Sequence, residues 1–467
     1  MKPKMMKCTF SPLHARGFGS PGSFFRSAAA ALVTGLIFGI GVPALVAGKS
    51  VARSGTETVY VQANDPTPGH NAVLAYQHDS EGCLQLVGTY LTGGTGAFNP
   101  TDRLGPDDHD QEIVISPNGK FLFTINQGSN TVAVFKIKPD GSLTLVKGAP
   151  FPSGGNGPAS LGLAGGKLYV VNQNENTVLP STMGHPNYTA FYVDPNGRLS
   201  PIPDSTITLQ LGDTPTQALI SPDGRHLFGN QIFDADRPYT PQLAPFLPAR
   251  ASSLDSFRIQ TNGSLLQAPG TPQSLPIEAM FAIPDARYSL GLAVHPTENI
   301  VYVGFILGFK FAVYTYDEAG RLTFVTAAPL TDAGICWIVL NKEATRAYAT
   351  NAITNTVSVI NIEDPLHPVQ IQSVFLRLES DAPPGPFGPA NFASTPFQLA
   401  LDPDGETLYV KNHETTPEGY AEGNALHFLD VQEDGTLVEH DCSPAFLPIP
   451  PNAHAAGVAV LDNRSKR

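Results

Sequence analysis

The side chains able to do acid–base or ligand chemistry gather in a few short runs. Asp107-Asp108-His109-Asp110 places three carboxylates and an imidazole in four consecutive residues. Such a run can hold a hard cation, or supply a base at the mouth of a channel; otherwise it is a solvated acidic loop. His413-Glu414 and His454 add two more imidazoles and a carboxylate near the C-terminal end. Arg287 is a cation able to polarise a carbonyl and steady a developing oxyanion. A Gly-x-Ser-x-Gly elbow, a His-Glu-x-x-His pair and a phosphate loop are all missing from the sequence. No resident metal and no cofactor is therefore read from it.

These residues can act together only if the fold brings them together, and a repeat shows how. Glu112-Ile-Val-Ile-Ser-Pro-Asn-Gly119 recurs as Gln217-Ala-Leu-Ile-Ser-Pro-Asp-Gly224 and as Gln398-Leu-Ala-Leu-Asp-Pro-Asp-Gly405. Each copy runs on into a second apolar strand, and Pro and Gly fit the tight turn between the two. Weaker copies start near Ser160, Leu290 and Trp337. A third and fourth strand follow each copy, most clearly Thr131–Ile137 and Ser142–Val146 around Pro139-Asp-Gly141. Four antiparallel strands, a to d, make one blade of a β-propeller. The first unit begins at strand b, Thr58–Gln62, with no strand a before it. Ala456–Leu461 matches strand a and has no strand b after it. The fold class expected is all-β: a seven-bladed β-propeller whose ring the C-terminal strand closes by completing the first blade, leaving no open edge.

In such a ring the d–a and b–c loops share one face, and the long insertions fall there: 91–110, 276–289 and 378–395, then 173–187, 231–252 and 412–424. Loops concentrated on one rim of a rigid scaffold are where binding usually lives. His109, His413, His454 and Arg287 are the candidate catalytic residues on this face. Candidate binding residues are Asp108, Asp110, Gln217, Gln398, Glu414 and the Asn that recurs after strand b, as Asn126, Asn172, Asn230, Asn351 and Asn412. The recurrent Asn also has a framework explanation, since Asn satisfies backbone groups in turns.

Residues 1–52 differ in kind, with six basic residues, no acidic ones and an apolar run from Ala28 to Val46. They read as a signal peptide or an N-terminal membrane anchor, with the propeller occupying 53–467. The expected location is therefore exported, periplasmic or extracellular. The whole chain carries a net charge of −13, and removing the basic leader makes the remainder more acidic still. That surface repels phosphate backbones and anionic lipid, so neither nucleic acid nor a membrane beyond the possible anchor is expected as a partner. A monomer is expected. Beyond the leader lie Cys83, Cys336 and Cys442, three scattered thiols expected to be buried small hydrophobes rather than a disulfide framework.

Ile115–Leu145, which contains Ser-Pro-Asn-Gly, Asn-Thr-Val-Ala-Val-Phe and Pro-Asp-Gly-Ser-Leu, resembles the lactonase family of seven-bladed propellers, which includes propeller-type 6-phosphogluconolactonases. Ala349–Ile360 is similar to the YVTN repeat of exported propellers. The family's enzymes open the third blade with a His-Pro-His-type stretch; Gly157-Pro158-Ala159-Ser160 stands there instead, so no catalytic residue carries over. The resemblance implies an exported lactonase-like propeller, a hydrolase opening a lactone or cyclic ester on the long-loop face. Small-molecule lactones or carbohydrates would be its ligands. The alternative is a non-enzymatic propeller binding a glycan, peptide or protein partner through amide-rich loops.

Overall fold

The computed structural model describes residues 57–97, 109–174, 184–232, 234, 251–276, 288–306, 308–378, 393–415 and 420–463. The leader, Asp107, Asp108 and Arg287 lie outside these residues, as do parts of the long insertions. The described strands form seven antiparallel sheets. Their inner strands read as unbroken apolar runs because neighbouring blades cover both of their faces. All six residues of Phe121–Asn126 are buried, for instance. Outer strands such as Val369–Phe375 alternate instead between exposed and half-buried positions. The a–b turns follow the repeat. In Ser116–Gly119 the Gly119 N–H donates to Ser116 O at 2.7 Å with Gly119 at φ 64°. Ser221–Gly224 and Asp402–Gly405 repeat the same bond.

The ring closes as the two incomplete ends require. Glu57–Gln62 pairs antiparallel with Ala456–Asp462, so blade 1 takes three strands from the start of the ring and its innermost strand from the C-terminal end. Most innermost strands carry a bulge where they reach the axis: Gly457 in blade 1, Gly291 in blade 5, Cys336-Trp337 in blade 6 and Phe397-Gln398 in blade 7. A bulge bends the strand and re-aims its side chain, which is how these positions come to face the centre.

Neighbouring blades are joined by a recurring polar staple. The third or fourth residue of strand b is Tyr in five blades. In four of them its hydroxyl donates to a carbonyl in the c–d turn of the next blade: Tyr60 to Gly141 O (2.6 Å), Tyr169 to Gly263 O (3.1 Å), Tyr302 to Pro365 O (3.1 Å) and Tyr348 to Gly435 O (3.0 Å). Burial raises the Tyr348 hydroxyl to about 12 and lifts the other three further, so all remain donors at any physiological pH. Blades 2 and 4 have Phe123 and Phe228 at this position. Across the blade 4–5 boundary, Ser256 Oγ takes over the bond, donating to Gly320 O at 2.6 Å.

At the closing seam, between blades 7 and 1, the staple is ionisable. Tyr409 Oη donates to Glu57 Oε1 at 2.5 Å and bonds His78 Nε2 at 2.6 Å, while His78 Nδ1 donates to Gly82 O at 2.7 Å. The seam also carries a disulfide, Cys83–Cys442. This corrects the expectation of three unbridged thiols; the third, Cys336, is buried and lies outside the bridge. The two partners stand 359 residues apart in sequence, and only closure of the ring makes them neighbours.

Removing the seam hydroxyl takes a partner from two buried groups, Glu57 Oε1 and His78 Nε2, which keep their own 3.3 Å contact, whereas removing an ordinary staple strands one carbonyl. Tyr409→Phe is therefore expected to cost about 2–3 kcal/mol and Tyr169→Phe about 1 kcal/mol. Denaturant unfolding of the two variants checks this; equal losses would mean the seam is no different from any other blade boundary.

Candidate functional site

The chemistry converges at the axial end where strands a begin and strands b finish. The repeat aligns Glu112, Gln217 and Gln398 at one position of strand a, in blades 2, 4 and 7. Gln398 Nε2 donates to Glu112 Oε1 (2.6 Å) and to His109 O (2.6 Å), and His109 Nδ1 donates to the same Glu112 oxygen at 2.8 Å. This imidazole–carboxylate pair is fully buried. Glu112 has room because Gly457 faces it: a Cβ there would stand 3.0 Å from Glu112 Oε2 and 2.8 Å from Ile113 Cγ2. Gln217 binds both ways to the Leu292 backbone and donates to Gln111 Oε1 at 3.1 Å.

Asp110 and Glu112 flank Gln111, a non-glycine residue held at φ 63°. Left-handed backbone at such a residue is costly and persists only where the surroundings enforce it. Here Leu161 N–H donates to Gln111 O at 3.0 Å, and Gln111 Nε2 donates to Leu161 O at 3.2 Å. Asp110 is half-buried, the most accessible acid of the cluster. Loss of water and the nearby Glu112 carboxylate push its carboxyl up to about 7, against the opposing pull of the Gln111 N–H, His109 and Lys411.

Blade 7 supplies the opposite charge. Lys411, fully buried, donates from Nζ to His413 Nδ1 at 3.5 Å and lies 5.3 Å from the centre of the Phe397 ring. Phe397, His413 and His454 form a stack, with ring centroids 4.1 and 4.8 Å apart. Burial, then Lys411 and His454, hold His413 well below the usual imidazole range, so it is neutral at pH 7. His454 Nε2 stands 3.8 Å from Glu414 Oε2. The stack crosses the seam, since His413 lies near the end of strand b of blade 7, Thr407–Glu414, and His454 leads into the closing strand.

Of the sequence-derived candidates, the structure thus gathers His109, Asp110, Gln398, His413, Glu414 and His454 at one end of the ring, with Gln217 linked to them through Gln111. The five Asn residues are all buried within the framework. Asn126 Oδ1 accepts from Asn71 and Thr92; Asn172 donates to Ser153 O and Asn187; Asn230 donates to Ser289 O; Asn351 donates to Ser358; Asn412 donates to Ser394. Two participants escaped the sequence reading, and both had a signal there. Glu112 is the acid at a repeat position otherwise held by Gln217 and Gln398. Lys411 is the lysine at a strand-b position held elsewhere by Ile125, Val171 and Thr350. A cation in a buried register is rare unless it is used or paired. Among the described residues no group of three or more His, Cys, Asp or Glu is arranged to hold a metal ion.

The comparisons with known proteins agree with this architecture. A family model for the seven-bladed β-propeller lactonases matches residues 70–187. No curated protein matches the sequence. Among solved structures, a candidate 6-phosphogluconolactonase of Bacteroides fragilis superimposes with a TM-score of 0.58 at 15% identity, covering 87% of this chain and 98% of its own. The ring is a seven-bladed β-propeller, and residues 70–187 within it are similar to the lactonase propellers. A periplasmic gluconolactonase of Pseudomonas aeruginosa (TM-score 0.57, 14% identity, 87% of this chain and 99% of that one) shares the propeller. So does a hypothetical selenium-binding protein of Sulfolobus tokodaii (0.58, 13%, 87% and 94%). At such identities the likeness is one of fold, and a propeller ring does not by itself fix the chemistry.

A second raised carboxyl, Asp255 in blade 4, also reaches about 7, through burial and the nearby Asp213 and Asp234. It is held by Tyr188 Oη at 3.0 Å and by Gln231 Nε2 at 3.1 Å. Folding raises both carboxyls, so the folded state binds more protons. Their stabilising contribution is full below the ordinary value of 3.8 and is lost as pH climbs through about 7. The melting temperature of the parent protein is expected to fall between pH 5 and 8, and to fall less in the Asp110→Asn/Asp255→Asn variant. Parallel curves would contradict the assignment.

Proposed function

We propose that this lactonase-type propeller hydrolyses a lactone or similar cyclic ester at the axial cluster, with Asp110 as general base and Lys411 as oxyanion partner. The observation that carries the reading is the juxtaposition of a half-buried carboxyl at about 7 with a buried ammonium inside its electrostatic reach. A base of that pKa is matched to neutral pH. Asp110 takes a proton from water as the oxygen attacks the carbonyl carbon. Lys411 stabilises the negative charge that collects on the carbonyl oxygen. The protonated Asp110 then returns its proton to the ring oxygen as the C–O bond breaks, leaving a hydroxy acid. His109, Glu112 and Gln398 hold the backbone that presents Asp110, and the His413–His454 stack keeps Lys411 in place.

Two further observations support the reading. The side-chain amides of the five recurrent Asn residues are engaged in framework bonds, which weighs against the alternative of an amide-rich face that only binds a partner. The Cys83–Cys442 bridge suits an oxidising compartment and supports the proposal that the protein is exported.

A panel of sugar, aryl and acyl lactones, followed by acid release, tests the reading. Turnover should rise with pH and level off above about 7. Asp110→Asn is expected to lower kcat by roughly 100-fold or more, and Lys411→Met by a similar factor, with each variant still folded. Full activity in Asp110→Asn, or no turnover of any lactone by the folded parent protein, would overturn it.

A further inference from the structure

The outer and inner ends of the closing seam are fastened by different chemistry. On the inner side the His413–His454 stack joins blade 7 to the closing segment. On the outer side the Cys83–Cys442 bond joins the c–d turn of blade 1 to the segment after strand d of blade 7, and both sulfur-bearing residues are half-buried, within reach of a small thiol. His440 stands beside the bond: its Nδ1 is 3.3 Å from Cys442 Sγ and accepts the Cys442 N–H at 3.4 Å. Phe428 packs against the His440 ring at 5.1 Å, and Arg377 Nη1 donates to the carbonyls of His440 and Asp441 at 2.9 Å each. The imidazole is thus fixed in place beside the Cys442 sulfur.

We propose that Cys83–Cys442 is a redox latch: its reduction by a dithiol loosens blade 7 from blade 1 and lowers the activity of the axial site that the seam divides. The effect on activity rests on the hydrolysis reading above; the latch itself does not. A thiolate of the dithiol attacks Cys83 Sγ and the Sγ–Sγ bond breaks, with Cys442 leaving as a thiolate. The second thiol, as thiolate, attacks the mixed disulfide and releases the Cys83 thiolate. The dithiol is oxidised to its disulfide and the protein gains two electrons and two protons, ending with both cysteines reduced. His440 assists because the departing Cys442 sulfur lies beside its Nδ1, a ring nitrogen that can donate a hydrogen bond to the thiolate once the disulfide opens.

The test compares the full protein before and after treatment with dithiothreitol, together with the Cys83→Ser/Cys442→Ser and His440→Phe variants. Two readouts are used: amide exchange of Ala456–Asp462 and Thr407–Glu414, and lactone turnover. Reduction is expected to speed exchange in these strands about tenfold or more and to cut turnover about fivefold, both reversed on reoxidation and reproduced by the double Ser variant. His440→Phe keeps a ring against Phe428 and should slow reduction by roughly tenfold at pH 7. Unchanged exchange on reduction would overturn the latch. So would active oxidised protein whose turnover survives reduction, an outcome that leaves hydrolysis standing. Altered exchange with no turnover in either redox state would keep the latch and remove the hydrolysis reading.

Discussion

Antiparallel pairing of Glu57–Gln62 with Ala456–Asp462 is the bond on which the rest of this ring depends. Every other blade is built from contiguous chain and brings its own innermost strand. Blade 1 does not, and until the C-terminal strand docks, its strand b and the flank of blade 7 remain uncovered. The same strand carries Gly457, whose missing side chain admits the Glu112 carboxylate, and follows directly on His454. Closure therefore completes the core and assembles the axial cluster in one event. The seam is also the boundary with the most varied fastening: a tyrosine staple held by a carboxylate and an imidazole, a disulfide and a ring stack.

Elsewhere the blades are held by apolar contact and by scattered polar bonds, among which the tyrosine hydroxyls are the recurring ones. A tyrosine donating to a turn carbonyl one blade ahead fixes the rotation between sheets, which side-chain packing alone specifies less sharply. Where Phe123 and Phe228 interrupt the series, packing carries more of the boundary, and at blade 4 Ser256 restores a polar bond. A rigid ring of this kind lets the centre carry strain and charge: a left-handed Gln111, a buried lysine and a carboxyl raised to about 7.

Much of this was legible in the residues. The Ser-Pro-Asn-Gly and Asp-Pro-Asp-Gly turns, the apolar inner strands and the unmatched strands at Thr58 and Ala456 specify the blade, its count and its closure through local rules. The site was legible only in part, because its residues meet across the ring. His109, His413 and His454 stand out by type, but which of them stack and which pairs with a carboxylate depends on bulges and on the angle between blades. Glu112 and Lys411 hid inside repeat copies, where register comparison rather than composition distinguishes them. The recurrent Asn residues looked like a binding surface and serve as braces between loops. The Cys83–Cys442 bond had no signature in spacing, since it depends on the ends of the ring meeting.

The central claim is that closure builds an axial carboxyl whose proton is exchangeable at neutral pH beside a buried cation. Titration of Asp110 followed by isotope-edited infrared spectroscopy of its carboxyl band addresses this directly. The account predicts a protonated band that disappears with a midpoint near 7, is absent in Asp110→Asn and shifts to higher pH in Lys411→Met. A carboxylate already fully ionised at pH 5, with no response to the loss of Lys411, would contradict it.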